Sequence, residues 1–97
     1  MLRDSLRVLL GTPETAGMTV RQACAFAEIG SAPDPGLRQS LLGVYMSAGS
    51  AAMSTAVDRM VEAGLVARLD DPDDRRQVWL SLTERGREIW RQACDGR

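Results

Sequence analysis

The hydrophobic periodicity of this chain changes at Gly64, and that change constrains the fold more than any other feature. Two short segments, "LVARL" and "QVWLSL", follow Gly64; they are rich in branched and aromatic residues and are separated by an aspartate-rich turn. Such segments predict a β-hairpin with a longer loop, here over about residues 65–82. Before Gly64, apolar residues recur at i, i+3, i+4, i+7 and i+8, which predicts one buried face of a helix over about residues 50–63. The residues of that face are Met53, Ala56, Val57, Met60 and Val61.

Four further helices are predicted around this unit. They cover about residues 2–11, 19–30, 37–46 and 83–95, with Thr19 and Thr83 as N-caps of the second and the last. Glycines at the ends of the predicted helices supply stop signals. The residues expected to face inward on these helices are Leu2, Leu6, Leu9, Leu10, Val20, Ala23, Cys24, Phe26, Ala27, Ile29, Leu37, Leu41, Val44, Tyr45, Ile89, Trp90, Ala93 and Cys94.

Length and composition limit the possible functions. The 97 residues suffice for a single domain over residues 1–97 and not for two. The chain has no histidine, which removes the commonest general base and metal ligand, and it has no Gly-rich phosphate loop. We therefore predict that it is not an enzyme. The formal net charge of -1 means that a nucleic-acid partner would have to be bound by locally concentrated arginines.

Cys24 and Cys94 are the only cysteines, and they lack metal-ligand spacing. We expect buried, reduced thiols, with a disulfide as the open alternative. No apolar run approaches the roughly 18–20 residues of a membrane span. Charged residues interrupt the apolar pattern of the N-terminal segment, so it lacks a secretory signal and we expect a cytoplasmic protein without a membrane partner.

The acidic stretch "DDPDDRR" first has to be tested as a calcium loop. Counted from Asp71, it puts an arginine where the EF-hand needs glycine and a leucine where it needs a bidentate glutamate. We therefore predict neither a metal nor another cofactor. A projecting tip over Asp70–Gln77 fits better, in which a carboxylate of Asp73 or Asp74 holds one arginine by hydrogen bonds. The other arginine is then free to enter a narrow minor groove, and the sequence leaves open whether it is Arg75 or Arg76.

The two helices before the hairpin are joined by a short turn, "SAGS", which is typical of a helix-turn-helix. The exposed face of the second helix begins with small and hydroxylated residues that would let its backbone approach a DNA major groove. A plain solvated face is the alternative interpretation. The candidate DNA-contacting residues are Arg38, Ser47, Ser50, Ala51, Ser54, Thr55, Arg59, Arg75 and Arg76.

The segment "AVDRMVEAGLVARLDDPDDRRQVWLSLTERGREI" resembles the MarR family of winged helix-turn-helix regulators, and the resemblance extends over about residues 17–90. The family pattern is an aspartate–arginine wing, a strand, a Leu-Thr pair and a helix start containing glycine. The positions that match it are Asp74, Arg76, Val78, Leu82, Thr83 and Gly86. The sequence departs from the family in its "SAGSAAMS" helix start, its few basic residues on that helix and its short terminal helices.

The resemblance implies an α+β, mostly helical fold: a winged helix-turn-helix with a two-stranded antiparallel wing. It implies a recognition helix at about 50–63, a wing at about 65–82, and a homodimer formed through the terminal helices at about 2–11 and 83–95. It also implies a transcriptional regulator, most simply a repressor, that binds double-stranded DNA. The family's small-molecule effector pocket lies between the terminal helices and the winged domain, and the sequence leaves an effector open.

A winged-helix module that binds other proteins, without specific DNA binding, is the alternative function. The net charge of -1 and the few basic residues on the candidate recognition helix favour it. A steep loss of DNA affinity with salt would distinguish the two functions, because only DNA binding releases the counterions of the phosphate backbone.

Overall fold

The structure, a computed structural model, describes residues 18–94. The predicted helix at 2–11 lies outside these residues, as does its proposed part in a dimer. The elements in chain order are helix α1 (Val20–Ser31), strand β1 (Leu37–Arg38), helix α2 (Gln39–Tyr45), helix α3 (Ser50–Glu62), strands β2 (Val66–Asp70) and β3 (Val78–Leu82), and helix α4 (Glu84–Cys94). No helix within residues 18–94 is long and apolar enough to cross a membrane.

Helix α1 begins at a capping box, as the position of Thr19 predicts. The Thr19 hydroxyl accepts a hydrogen bond from the Gln22 backbone N–H at 3.1 Å, and the Gln22 side chain accepts one from the Thr19 N–H at 3.0 Å. Gly30 does not end the helix, which continues to Ser31. A Cβ at Gly30 would lie 2.9 Å from the Trp90 ring, so the glycine lets α4 pack closely against α1.

Helix α3 ends at Gly64, which confirms the predicted stop. Gly64 has φ +78, a left-handed conformation that glycine adopts without steric penalty. The Leu65 N–H donates to the Met60 carbonyl and the Gly64 N–H to the Val61 carbonyl, both at 3.0 Å. These two bonds form a Schellman motif, which turns the chain directly into β2.

The hairpin of β2 and β3 is confirmed, but the sheet has a third strand that the sequence did not predict. Strand β1 pairs antiparallel with β3, with Leu37 opposite Leu80, so the strand order is β1-β3-β2. The expectation that Leu37 starts a helix was therefore wrong. The cause is Gly36, whose φ of +133 and missing side chain bring the backbone against the Leu80 carbonyl.

The core lies between the four helices and the inner face of the sheet. As predicted, the apolar stripe of α3 is buried or half-buried, and Thr83 caps α4 by accepting the Gly86 N–H at 3.0 Å. The buried apolar residues are Ala23, Ala25, Phe26, Ile29, Leu37, Leu42, Met53, Ala56, Val57, Met60, Leu65, Val66, Leu80, Leu82, Ile89 and Ala93.

The predicted inward face of α2 was wrong. Val44 and Tyr45 are 70% and 56% exposed and Leu41 is 41% exposed, whereas Leu42 is fully buried. Because Leu37 belongs to a strand, the helix begins two residues later than predicted, and the phase of its buried face shifts with it.

Three other predicted core positions also differ from the structure. On α1, Val20 is 62% exposed because it is the first residue of the helix, and Ala25 is buried instead. The expected burial of both thiols was wrong: Cys24 is half-buried and Cys94, the last residue of α4, is exposed. Both cysteines are free, so the alternative of a disulfide is not present.

Candidate nucleic-acid interface

Helices α2 and α3 form the predicted helix-turn-helix, joined by residues 46–49. Three backbone bonds fix the turn, among them the one from the Ala48 N–H to the Gly43 carbonyl at 3.0 Å. The left-handed residue of the turn is Ser47, with φ 51, and Gly49 has an extended backbone as the N-cap of α3. No side chain caps α3, so its first N–H groups keep no side-chain partner and could receive a phosphate oxygen.

The exposed face of α3 carries the predicted small residues. Ala51, Thr55 and Arg59 are exposed, and Ser54 is half-buried. The Thr55 hydroxyl donates to the Ala51 carbonyl at 3.1 Å, which leaves its oxygen free to accept a further hydrogen bond. Ser50 is the first residue of α3, and its side chain lies outside the described part of the structure.

The acidic loop between β2 and β3 is a wing tip, defined here as Asp71–Gln77, that is held by its own aspartates. The Asp71 carboxylate accepts the Asp73 N–H at 2.8 Å, and the Asp74 carboxylate accepts the Arg76 N–H at 3.0 Å. Aspartate is favoured in such turns because its short side chain bonds to the backbone two residues on. Within residues 18–94, no three potential ligand residues are grouped to hold a metal ion.

The two wing arginines differ in their surroundings. Arg76 Nε lies 3.3 Å from Asp74 Oδ1, although the Arg76 side chain is 90% exposed. Arg75 is exposed and forms no ion pair with any residue from 18 to 94. The pairing of Arg76 with Asp74 leaves Arg75 as the free arginine of the tip.

A tryptophan that sequence reasoning missed supports the wing tip and Arg38. Trp79 Nε1 donates to Asp71 Oδ2 at 3.2 Å, and the Arg38 guanidinium lies 4.9 Å from the centroid of the Trp79 ring, a cation–π contact. The backbone N–H of Asp73, and then the indole N–H, hold the pKa of Asp71 below its ordinary value of 3.8. Arg38, predicted as a phosphate contact on a helix, is thus on an edge strand and oriented by Trp79.

Sequence reasoning also missed a polar cluster that joins the wing to the helix-turn-helix. Arg68 Nη2 lies 2.6 Å from Asp58 Oδ1 and donates to the Ser54 carbonyl at 3.4 Å, and Arg68 Nε donates to Gln39 Oε1 at 3.4 Å. Gln39 Nε2 in turn donates to the Ser54 hydroxyl at 3.3 Å. We call these four residues the Arg68 cluster. The one sequence signal for it is an arginine two residues after the buried Val66, at an inward-facing position of β2.

A cleft of about 530 Å³ separates α2 from the wing. Met53 and Val78 contribute apolar lining, and Ser47 and Arg76 bring two predicted DNA-contacting residues to the same cleft. The effector pocket that the sequence left open would instead lie against the terminal helices, the first of which is outside the described residues. The cleft is therefore a feature of the helix-turn-helix and wing, separate from that pocket.

Comparisons with known proteins were made for the whole chain. A model of the MarR family matches residues 16–77. Among curated proteins, the chain is 38% identical over 55 residues to a putative transcriptional regulatory protein for the hcr operon of Thauera aromatica, across 57% of this chain and 33% of that protein.

Solved structures show the same relationship. Sco3205, a MarR family transcriptional regulator from Streptomyces coelicolor solved in complex with DNA, has a TM-score of 0.77 and 29% identity, across 97% of this chain and 57% of that chain. FabT of Streptococcus pneumoniae, also in complex with DNA, is similar in fold, with a TM-score of 0.80 and 23% identity across 97% of this chain and 63% of that chain. The chain thus spans a third of the curated relative and less than two thirds of either structure.

Proposed function

This chain belongs to the MarR family, and we propose that it is a transcriptional regulator that binds double-stranded DNA sequence-specifically. The observation that carries the proposal is the arrangement of two elements on one rigid unit. Helix α3 exposes a face of small and hydroxylated residues, and the wing tip exposes Arg75 and Arg76 beside it. A duplex offers a major groove to the helix and an adjacent minor groove to the tip.

Helix α3 is the proposed recognition helix. Ala51 and Thr55 lie one turn apart on its exposed face, and their small size lets the helix axis approach the base edges closely. Arg59 lies one further turn along the same face and can contact a base edge or a phosphate. The uncapped start of α3, with Ser50, and the turn residue Ser47 are the proposed phosphate contacts there.

The wing supplies the proposed minor-groove contact. Arg75 is the arginine we assign to the groove, because Arg76 is already paired with Asp74. Arginine suits a narrow minor groove, where the electrostatic potential is most negative. Arg38, stacked on Trp79 at the base of the wing, is the proposed contact to the phosphates between the two grooves.

The overall charge fits a protein that binds DNA only in the correct register. The net charge of -1 supplies no general attraction to DNA, so affinity has to come from arginines placed on one surface. Asp58, Asp73 and Asp74 lie beside those arginines, and they would repel phosphates in any other register.

The proposal extends to a cytoplasmic homodimer formed through the terminal helices. Two copies related by a twofold axis would recognise two half-sites roughly 34–36 Å apart, one turn of the DNA helix. A dimer that occupies a promoter excludes the polymerase, so repression is the proposed sign of regulation. The non-enzymatic role is also proposed, from the regulatory family and from the absence of histidine in the sequence.

Titration of a labelled duplex with the chain at increasing salt tests the proposal. The duplex would come from selection of bound sites in random DNA. The account predicts an affinity that falls linearly with salt on logarithmic axes, by about 0.9 for each phosphate contacted. Absence of any DNA affinity at low salt would leave the second candidate, a protein-binding module. The exposed Leu41, Val44 and Tyr45 on α2 favour that candidate, since apolar residues clustered on a surface often mark protein interfaces.

A further inference from the structure

Arg68 occupies a position of the wing where the alternation of β2 would place an apolar residue. Val66, two residues earlier, is 2% exposed, and Arg68 lies directly opposite the fully buried Leu80. Directly opposite residues of an antiparallel pair project from the same face of the sheet. The Arg68 side chain therefore starts on the inner face of the sheet, where a charge requires partners.

Those partners belong to both helices of the helix-turn-helix. The guanidinium contacts Asp58 and the Ser54 carbonyl on α3, and it contacts Gln39 on α2. A single side chain of the wing is thus bonded to the proposed recognition helix and to the helix that supports it. Asp58 lies one turn after Ser54, so the two contacts fix the position of Arg68 along the axis of α3.

The stability of the fold does not require this arrangement. The Arg68 and Asp58 side chains are 34% and 55% exposed, and partly exposed ion pairs contribute little to stability. An apolar residue of similar volume in such a position is often equally stabilising or more so. What the cluster does that an apolar contact would not do is to set one direction for the wing relative to α3, because its hydrogen bonds are directional.

Small changes in that direction are amplified at the wing tip. The tip begins three residues beyond Arg68, about 10 Å away at roughly 3.3 Å per residue. A swing of about 10° at Arg68 would move the start of the tip by about 2 Å, whereas a productive contact geometry tolerates on the order of 0.5 Å.

We propose that Arg68 is a positioning residue that holds the wing at a fixed angle to α3, so that the major-groove and minor-groove contacts are made together. This inference rests on the proposed function, and Asp58 is its partner in the same role. Loss of either residue uncouples the wing from the helix without removing a group that contacts DNA.

The test uses two duplexes that contain the same selected site. The long duplex includes the flanking minor grooves that the wings would contact, and the short duplex ends before them. We define the wing gain as the affinity for the long duplex divided by that for the short one. Arg68→Met and Asp58→Asn should each reduce the wing gain by roughly two- to thirtyfold, the range for residues that modulate coupling between sites. The double variant should reduce it no further, because the two residues act as one unit.

Asp58→Asn separates positioning from simple charge. It removes a negative charge from a DNA-facing helix, so charge alone predicts tighter binding to both duplexes, whereas the positioning role predicts a reduced wing gain. Arg87→Met is the matched control, since Arg87 is an exposed arginine on α4 that forms no ion pair in the described part of the chain. Thermal unfolding of each variant checks that the fold is retained.

The outcomes distinguish this inference from the proposed function. If wild-type protein binds no DNA, the proposed function is wrong and the inference with it. If wild-type protein binds but both variants keep the full wing gain, or lose affinity equally for the two duplexes, the inference alone is overturned. An Arg68→Met variant that also lowers the salt dependence by about 0.9 would make Arg68 a direct phosphate contact and would likewise overturn it.

Discussion

The double substitution Arg75→Ala and Arg76→Ala should weaken DNA binding while leaving the fold almost unchanged. The Arg76 side chain is 90% exposed, and its ion pair with Asp74 is a single contact at 3.3 Å. Exposed pairs of this kind are worth about 0–1 kcal/mol, and surface substitutions usually change stability by less than about 0.5 kcal/mol. For a domain of this size the thermal midpoint should therefore shift by less than about 4 °C.

The loss of affinity can be estimated from counterion release. Each phosphate contact contributes about 0.9 to the slope of log affinity against log salt, so a fourfold rise in salt weakens binding by about 3.5-fold for each contact. A dimer in which one arginine of each wing touches DNA has two such contacts. Its wing arginines then account for about a 12-fold loss between about 50 and 200 mM salt. If both arginines of each wing touch DNA, the corresponding loss is about 150-fold.

Fluorescence anisotropy of a labelled duplex over that salt range measures the slope directly. The double variant should lose about 1.8 units of slope if one arginine per wing contacts DNA, and about 3.6 units if both do. The single variants then assign the contact: Arg75→Ala should reproduce most of the loss, and Arg76→Ala little of it. Arg87→Ala, which removes an equal charge from α4, should leave the slope unchanged.

The reasoning would be refuted by the opposite pattern. A double variant that unfolds well below the wild-type temperature, yet binds DNA normally per folded molecule, would make the two arginines structural. An unchanged salt slope in a stable double variant would remove the wing from the DNA interface.

Three further predictions concern the scaffold of the site. Gly86→Ala should destabilise the protein by about 1–3 kcal/mol in urea unfolding, because its Cβ would collide with the Leu65 carbonyl; stability equal to wild type would show that α4 can shift. Leu80→Ala should cost about 2–5 kcal/mol in the same assay, since Leu80 is fully buried under the wing; a loss below about 1 kcal/mol would contradict its place in the core. Asp71→Asn should lower the thermal midpoint above pH 3.8, and the difference from wild type should disappear as the pH falls below 3.8, because the folded-state pKa of Asp71 is lowered. Asp73→Asn, whose side chain holds no turn N–H, is the control for that charge, and an Asp71→Asn difference that persists to about pH 2 would contradict the assignment.

The sequence predicted those elements whose signals are local. The apolar stripe of α3, the stop at Gly64 and the N-caps at Thr19 and Thr83 each depend on residues within a few positions of one another, and the structure confirms them. The hairpin was predictable for the same reason, since its two strands are adjacent in the chain.

The features that escaped prediction depend on contacts between distant residues. Strand β1 has only two residues, and its pairing with β3 involves a partner beyond α3 in the sequence. Misplacing Leu37 in a helix then shifted the predicted inner face of α2. The aspartates of the wing tip were correctly interpreted as turn residues, but nothing local showed that Asp71 would accept the indole N–H of Trp79.

The candidate site follows the same division. The α3 face and the wing arginines are exposed as the pattern predicts, and their contact with DNA stays a prediction. The Arg68 cluster could not be derived, because Arg68 and Asp58 are separated by the turn at Gly64 and meet only when the sheet packs on α3.

Selection of bound sites from random double-stranded DNA, with the whole chain at low salt, tests the central claim most directly. The account predicts enrichment of a palindrome whose half-site centres are roughly 34–36 Å apart, flanked by A·T-rich segments that narrow the minor groove for the wing arginines. Recovery of unenriched DNA, or no recovery at all, would contradict the claim that this chain recognises a DNA sequence.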